Sequence, residues 1–404
     1  MRYKVLYVLF AISAVLYANL RLPMGLTPRH IMTVAMLIVC ISEDRRIFMD
    51  KWFGVYLIFI AGFALSSGMT GYFSRFPRLL VGFYFVAFIG YWATHILVKK
   101  YDGTRLFVNL FIIIGLIDAV VTIGQFFNIP YLTMITGYMG INVDADFLDL
   151  MDEGDEAFGY TLPGVLSGGD VYNGYFIGIV GTLSLYYLKD GIKIIRLIPL
   201  FVFLTASFMV QQRGPFYILL LFSVFMLFKA SIVGKKGFKY IFIVGLFLIL
   251  PVGFRLLFSF LMQGDSRFNI GLDSTNRDRI YIRAFEFIQN NFIWGGRFKL
   301  RVTEGFAPHN LFLNAWIDGG FVGFLAILWL TIKQCVAVIR LVFHKLDSKQ
   351  FDFIVCGLAF LGFTLNSMLH NASIVTGDMI IWMLWGVFWT NVELGRSQNK
   401  VIPT

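Results

Sequence analysis

Apolar runs recur along this chain with short polar interruptions, at about 3–20, 24–42, 52–70, 78–98, 104–127, 165–188, 197–212, 214–229, 239–262, 309–332, 351–371 and 373–394. A hydrocarbon layer about 30 Å thick takes roughly 20 residues of helix, and the runs lack the polar–apolar alternation of barrel strands. The pattern predicts an all-α polytopic membrane protein of about twelve transmembrane helices, a single integral membrane domain over 1–404. The first run follows Arg2 and Lys4 as a signal peptide would. No small-residue cleavage site precedes the next run, so a retained helix is expected.

Two longer polar stretches break the pattern. The first, 128–169, is an acidic loop carrying Asp144, Asp146, Asp149, Asp152, Glu153, Asp155 and Glu156. Its spacing does not fit a calcium loop, so a solvated loop is expected, with a cover over a cavity as the alternative. The second, 263–308, is the main loop. Within it Thr275-Asn276-Arg277-Asp278 has the form of a helix start, and Ile280, Ala284, Phe287 and Ile288 follow at helical spacing. A short amphipathic helix along the membrane surface is predicted, with Arg279, Arg283 and Glu286 on its other face. Two uses of that face stay open, attraction to anionic lipid headgroups and a substrate site.

Composition sharpens the class. With 58% hydrophobic and 14% charged residues and a mean hydropathy of +0.75, the chain is too apolar for a soluble core inside a solvated surface. The net charge of +10 does not point to nucleic acid, because most of the 34 lysines and arginines fall in short loops on one side of the runs. By the preference of cytoplasmic loops for positive residues, both termini are expected to be cytoplasmic and 263–308 to face outward. Cys40, Cys335 and Cys356 are scattered through apolar segments and suggest neither a disulfide framework nor a zinc site. Ionisable groups inside the runs are few: Asp118 and Arg255, with His95 and Asp378 near run ends. Ion-coupled transporters carry several such groups, so Asp118 is read either as a proton-relay group or as a residue facing a polar cavity or paired internally.

Candidate chemistry gathers at the outward side. Arg213, in Gln211-Gln212-Arg213-Gly214-Pro215, sits in a tight reversal between two apolar runs. A guanidinium there is suited to grip phosphate bidentately, or to snorkel to the interface. His309 follows Pro308 at the start of the tenth run, where an imidazole with a pKa of about 6.5 can take a proton from a hydroxyl. One base together with several arginines is what transfer of a sugar from a lipid diphosphate requires.

His309-Asn310-Leu311-Phe312-Leu313, continued by Asp318, Gly320 and Gly323, resembles the signature of the O-antigen ligase and O-antigen polymerase family. Arg277 with Tyr281, then Asn291-Phe292-Ile293-Trp294-Gly295-Gly296, is similar to that family's upstream series, and Gln212-Arg213-Gly214 to its Ser-Arg-Gly turn. The likeness runs over about 200–390. It departs from the family at Tyr281, where Trp is commoner, at Asn291 for Pro, at Gln212 for Ser, and at Pro215 after the glycine.

The resemblance implies a GT-C-like bundle and a metal-independent, inverting glycosyltransferase without a cofactor. It would act on undecaprenyl-diphosphate-linked oligosaccharide at the periplasmic face of the bacterial inner membrane, in lipopolysaccharide or polysaccharide biosynthesis, with a chain-length regulator and a flippase as partners and no nucleic acid. Under it His309 is the catalytic base, Arg213, Arg277, Arg279 and Arg283 bind the diphosphate, and Asn310 and Asp318 support them. An O-antigen polymerase is the expected activity. The alternatives are an O-antigen ligase delivering to lipid A core, a lipid-linked oligosaccharide flippase or transporter, and a non-catalytic assembly subunit.

Overall fold

The computed structural model describes residues 2–15, 27–44, 51–138, 162, 164–165, 170–190, 193–210, 212–233, 277–297, 299–300, 308, 310–343, 348–368 and 378–397. Every regular element among them is helical. In chain order these are α1 (Arg2–Val15), α2 (Pro28–Glu43), α3 (Lys51–Met69), α4 (Phe85–Tyr101), α5 (Thr104–Phe126), α6 (Pro130–Tyr138) and α7 (Asp170–Ser184). Then come α8 (Ile194–Met209), α9 (Arg213–Val233), α10 (Arg277–Asn290), α11 (Leu311–Phe343), α12 (Ser348–Ser367) and α13 (Met379–Ser397). A short helix Phe76–Leu79 and a π-helical turn Leu80–Tyr84 lead without a break into α4.

Among the described residues four stretches are long and apolar enough to cross a membrane: Trp52–Met69, Phe73–Tyr101, Thr104–Phe126 and Leu311–Leu341. Shorter apolar helices lie at Ile194–Met209, Gly214–Leu227, Phe351–Ser367 and Met379–Gly395. This is the make-up of an all-α, multi-pass membrane protein. The predicted run 239–262 and most of the acidic loop lie outside the described residues. The part of that loop at Pro130–Tyr138 is helical, with Tyr131 and Met134 exposed.

Close backbone approach organises the packing. In hydrocarbon, helices gain nothing by hiding apolar surface from lipid, so small residues that admit close contact mark their interfaces. The pairing of α3 with α11 is one such place: a Cβ added to Gly62 would lie 2.7 Å from the carbonyl of Gly319. The pairing of α4 with α13 is another, where a Cβ on Gly386 would lie 2.9 Å from the Tyr91 carbonyl. Aromatic rings fill the remaining space. Trp52 stacks on Trp389 at 3.5 Å, and Tyr56 meets Trp382 edge-on at 4.0 Å.

The two ends of the bundle differ in chemistry. One end is rich in lysine: Lys189 pairs with Asp352 at 2.8 Å, Lys100 with Glu43 at 3.2 Å and Lys99 with Asp44 at 3.7 Å. Just inside it, His95 bonds Thr390 at 2.9 Å and Thr104 bonds Asn391, each tying α13 to a neighbour. His95 is thus a packed interhelical residue. At the opposite end α3, α5, α8 and α12 finish, α7, α9, α11 and α13 begin, and α10 lies against α11.

Candidate functional site

The candidate residues belong to this second end. His309 and the side chains of Arg213 and Arg277 lie outside the described residues, but the backbone at both arginines and the residues flanking His309 are described. Arg213 is the first residue of α9 and Arg277 the first of α10. Pro308 is buried, and Asn310 forms the cap of α11.

The cap follows directly from the side chain. The first N–H groups of a helix lack partners within it, and a short polar residue just ahead can accept them. Asn310 Oδ1 accepts from Phe312 N at 2.9 Å and from Leu313 N at 3.2 Å. Its Nδ2 donates to the Met368 carbonyl at 3.1 Å, which fastens the start of α11 to the residue just past α12. Two residues earlier stands Asn366, whose Oδ1 has no hydrogen-bond partner among the described residues. A Cβ built on Gly214 would come within 2.8 Å of that oxygen. On the other side, a Cβ on Gly174 of α7 would come within 2.2 Å of Gln212 Oε1. The residues beside Arg213 and beside His309 therefore meet at the last turn of α12.

Three of the four residues expected on the apolar face of α10 are buried, and the fourth, Ile280, is half-buried. Ala284, Phe287 and Ile288 are buried and cluster with Leu300, Leu313 and Ile317, so α10 rests on the first half of α11. Arg279, Arg283 and Glu286 are exposed. Ile282 and Phe285 are also exposed, as are Phe292, Ile293 and Trp294 just after the helix, which gives α10 a second, apolar border.

Asp318 has a partner that the sequence did not single out. Arg297 Nη1 donates to Asp318 Oδ2 at 2.9 Å, with side-chain exposures of 13% and 7%. The guanidinium also lies 5.8 Å from the centre of the Phe63 ring. Burial opposes its charge, but the Asp318 carboxylate and Tyr84 beside it more than offset this, so its pKa is raised above the ordinary value. The turn carrying Arg297 is pinned by backbone as well. Gly296 N donates to the Ile317 carbonyl at 2.7 Å and Phe321 N to the Ile293 carbonyl at 3.0 Å. Gly320, at φ 64° and ψ −165°, breaks α11 where the turn presses in, and a Cβ there would lie 2.3 Å from the Ile293 carbonyl.

A third polar cluster lies deeper. Asp118 of α5 accepts from Val165 N at 2.8 Å. Gln125 bonds Gly164 in both directions, at 2.9 and 3.2 Å. Asn173 of α7 donates to the Leu162 carbonyl at 2.7 Å and to Thr122 at 3.0 Å. All four side chains are buried, and Gly164 adopts φ 62° between Asp118 and Asn173. Asp118 thus has an internal partner for one oxygen, which holds the end of the acidic segment inside the bundle, while its Oδ2 is buried with no hydrogen-bond partner among the described residues. Nearby, Tyr172 donates to Asp378 at 2.7 Å, and Asp378 accepts from Ile380 N at the start of α13.

No protein-family model and no curated protein sequence matches this chain. The site is known from its own residues. Arg297, Asn366, Gln125 and Asn173 were missed in the sequence. The signal available for Arg297 was slight, a cation directly after Gly295-Gly296 with Lys299 and Arg301 close behind it.

Proposed function

We propose that this chain is an O-antigen polymerase: an inverting glycosyltransferase that moves a glycan from undecaprenyl diphosphate to the terminal sugar of another lipid-linked repeat unit. The observation carrying this reading is that Gly214 and Asn310, from two motifs distant in sequence, each adjoin the end of α12, at Asn366 and at Met368. One holds the arginine and the other the histidine that the chemistry needs.

In the proposed reaction His309 takes the proton of the acceptor hydroxyl as its oxygen bonds to the anomeric carbon of the donor. The bond from that carbon to the diphosphate breaks on the opposite face, the electron pair leaves with the diphosphate, and the configuration inverts. Arg213 and Arg277 grip the departing diphosphate, and Arg279 and Arg283, exposed along α10, add positive charge. Asn310 and Asp318 hold the helix that follows His309. The GT-C-like bundle of about twelve helices, the inner membrane, cytoplasmic termini, a site open to the periplasm, and a chain-length regulator and flippase as partners belong to the same proposal.

The test is reconstitution of the full chain in vesicles with lipid-linked repeat units alone. Longer lipid-linked oligomers are expected, and His309→Ala should slow their formation roughly 10²- to 10⁴-fold, the usual contribution of a general acid–base group. Product formed only when lipid A core is added would replace polymerisation by ligation. Undiminished turnover in His309→Ala would remove the base from the scheme, whereas no product from the unaltered chain together with transport that His309→Ala leaves unchanged would favour a transporter.

A further inference from the structure

A crevice of about 310 Å³ runs between α2, α3, α4 and α13. Its lining is apolar and aromatic, with Ile41 and Leu57 on one side, Phe85 and Phe88 on the other, and Tyr84 and Trp382 at the back. Ile41, Leu57 and Phe85 are 42, 44 and 37% exposed, so it opens sideways from the bundle, beside α3 and α4, both long and apolar enough to cross a membrane. At that depth the surrounding solvent is hydrocarbon, and an apolar opening of this size takes up a chain rather than water.

Three further observations say what kind of chain. The wall of the crevice along the π-helical turn and α4 runs from Leu80 to Trp92, which at helical rise is about 18 Å, close to the depth of one leaflet. That is the span of one acyl chain. The π-helical turn Leu80–Tyr84 forms part of this wall, and such turns recur at functional sites. The third is charge. Arg75 and Arg78 are exposed just ahead of Leu80, and Val81 and Phe85 follow Arg78 at helical spacing. Between Lys51 and Lys100 there is no Asp or Glu, so this hairpin carries net positive charge, with Arg75 lying 5.5 Å from the centre of the Tyr72 ring.

We infer that the crevice is the seat of an anionic phospholipid, one acyl chain lying against Phe85 and Phe88 and the phosphate meeting Arg75 and Arg78. The site does not depend on the transferase reading. It lies on the face of α3 and α4, whereas the candidate arginine and histidine motifs adjoin α12.

The experiment is to incorporate the full chain into vesicles of equal phosphatidylglycerol and phosphatidylcholine, extract it gently and weigh the retained lipid by native mass spectrometry. Phosphatidylglycerol should be retained roughly tenfold over phosphatidylcholine, as two interfacial arginines suggest. Arg75→Gln with Arg78→Gln should bring the ratio near parity while a chain is still held. Leu57→Trp, which narrows the mouth, should lose both lipids with helix content unchanged by circular dichroism. Equal retention of the two lipids by the unaltered chain, or an unchanged ratio in the arginine variant, overturns the inference whether or not Leu57→Trp folds. Displacement of the phospholipid by a tenth as much polyprenyl phosphate overturns the choice of occupant.

Discussion

The Arg297–Asp318 pair is where a single side chain matters most. A buried ion pair gains little over apolar residues of the same size, but breaking one leaves a charge stranded. Asp318→Ala should therefore lower the unfolding free energy by about 3–5 kcal/mol, whereas Arg297→Met with Asp318→Leu should recover most of that loss. Denaturant unfolding in detergent, followed by tryptophan fluorescence, measures both. Equal damage in the single and double variants would mean that the pair does more than neutralise itself. At this scale the sequence was only partly legible. Asp318 stood out by its place after His309, but Arg297 has Lys299 and Arg301 for near neighbours, and nothing local says which of them folds inward. That choice is made by Phe63, Tyr84 and Asp318, which come from three separate stretches of chain.

At the scale of elements, periodicity was a good guide. The spacing of Ala284, Phe287 and Ile288 gave α10 and its buried face, because a helix resting on a protein surface repeats its contacts every three or four residues. The cap at Asn310 was less legible: its short amide satisfies the first turn of α11 two residues after Pro308, where the apolar run alone puts the start at His309. The break at Gly320 was not legible, since the glycine sits well inside the predicted run 309–332 and its cause is the 293–296 turn pressing against it. Gly320→Ala forces a side chain into both a left-handed backbone and the Ile293 carbonyl. It should cost about 1–3 kcal/mol of stability in the same unfolding assay. Asn310→Ala removes the cap and the tie to Met368 and should cost about 1 kcal/mol. A loss as large as that of Asp318→Ala would show that the tie, more than the cap, holds α11 in place.

For the whole molecule, composition and run length were enough to predict an all-α membrane protein, because apolarity at this level leaves few other folds. The arrangement of helices was beyond the sequence, since contacts such as Gly62 on Gly319 depend on which small residues face each other. The two chemically distinct ends lead to one more prediction. Cysteines placed at Lys189 and at Arg283, in a chain with its three natural cysteines replaced, should be labelled by a membrane-impermeant maleimide from opposite sides of sealed vesicles. Labelling of both from one side would reject the bundle as a spanning unit.

The interruption in α11 also sets how force passes through the protein. The stretch after α10 is tied to α11 on both sides of Gly320, by the bonds from Gly296 to Ile317 and from Phe321 to Ile293, and α3 packs against Gly319 at the break. One turn thus clamps the two halves of the helix across Gly320. Whatever pushes on the exposed rim of α10 therefore bears on both halves of α11 at once, and travels to Asn310 along the shorter one.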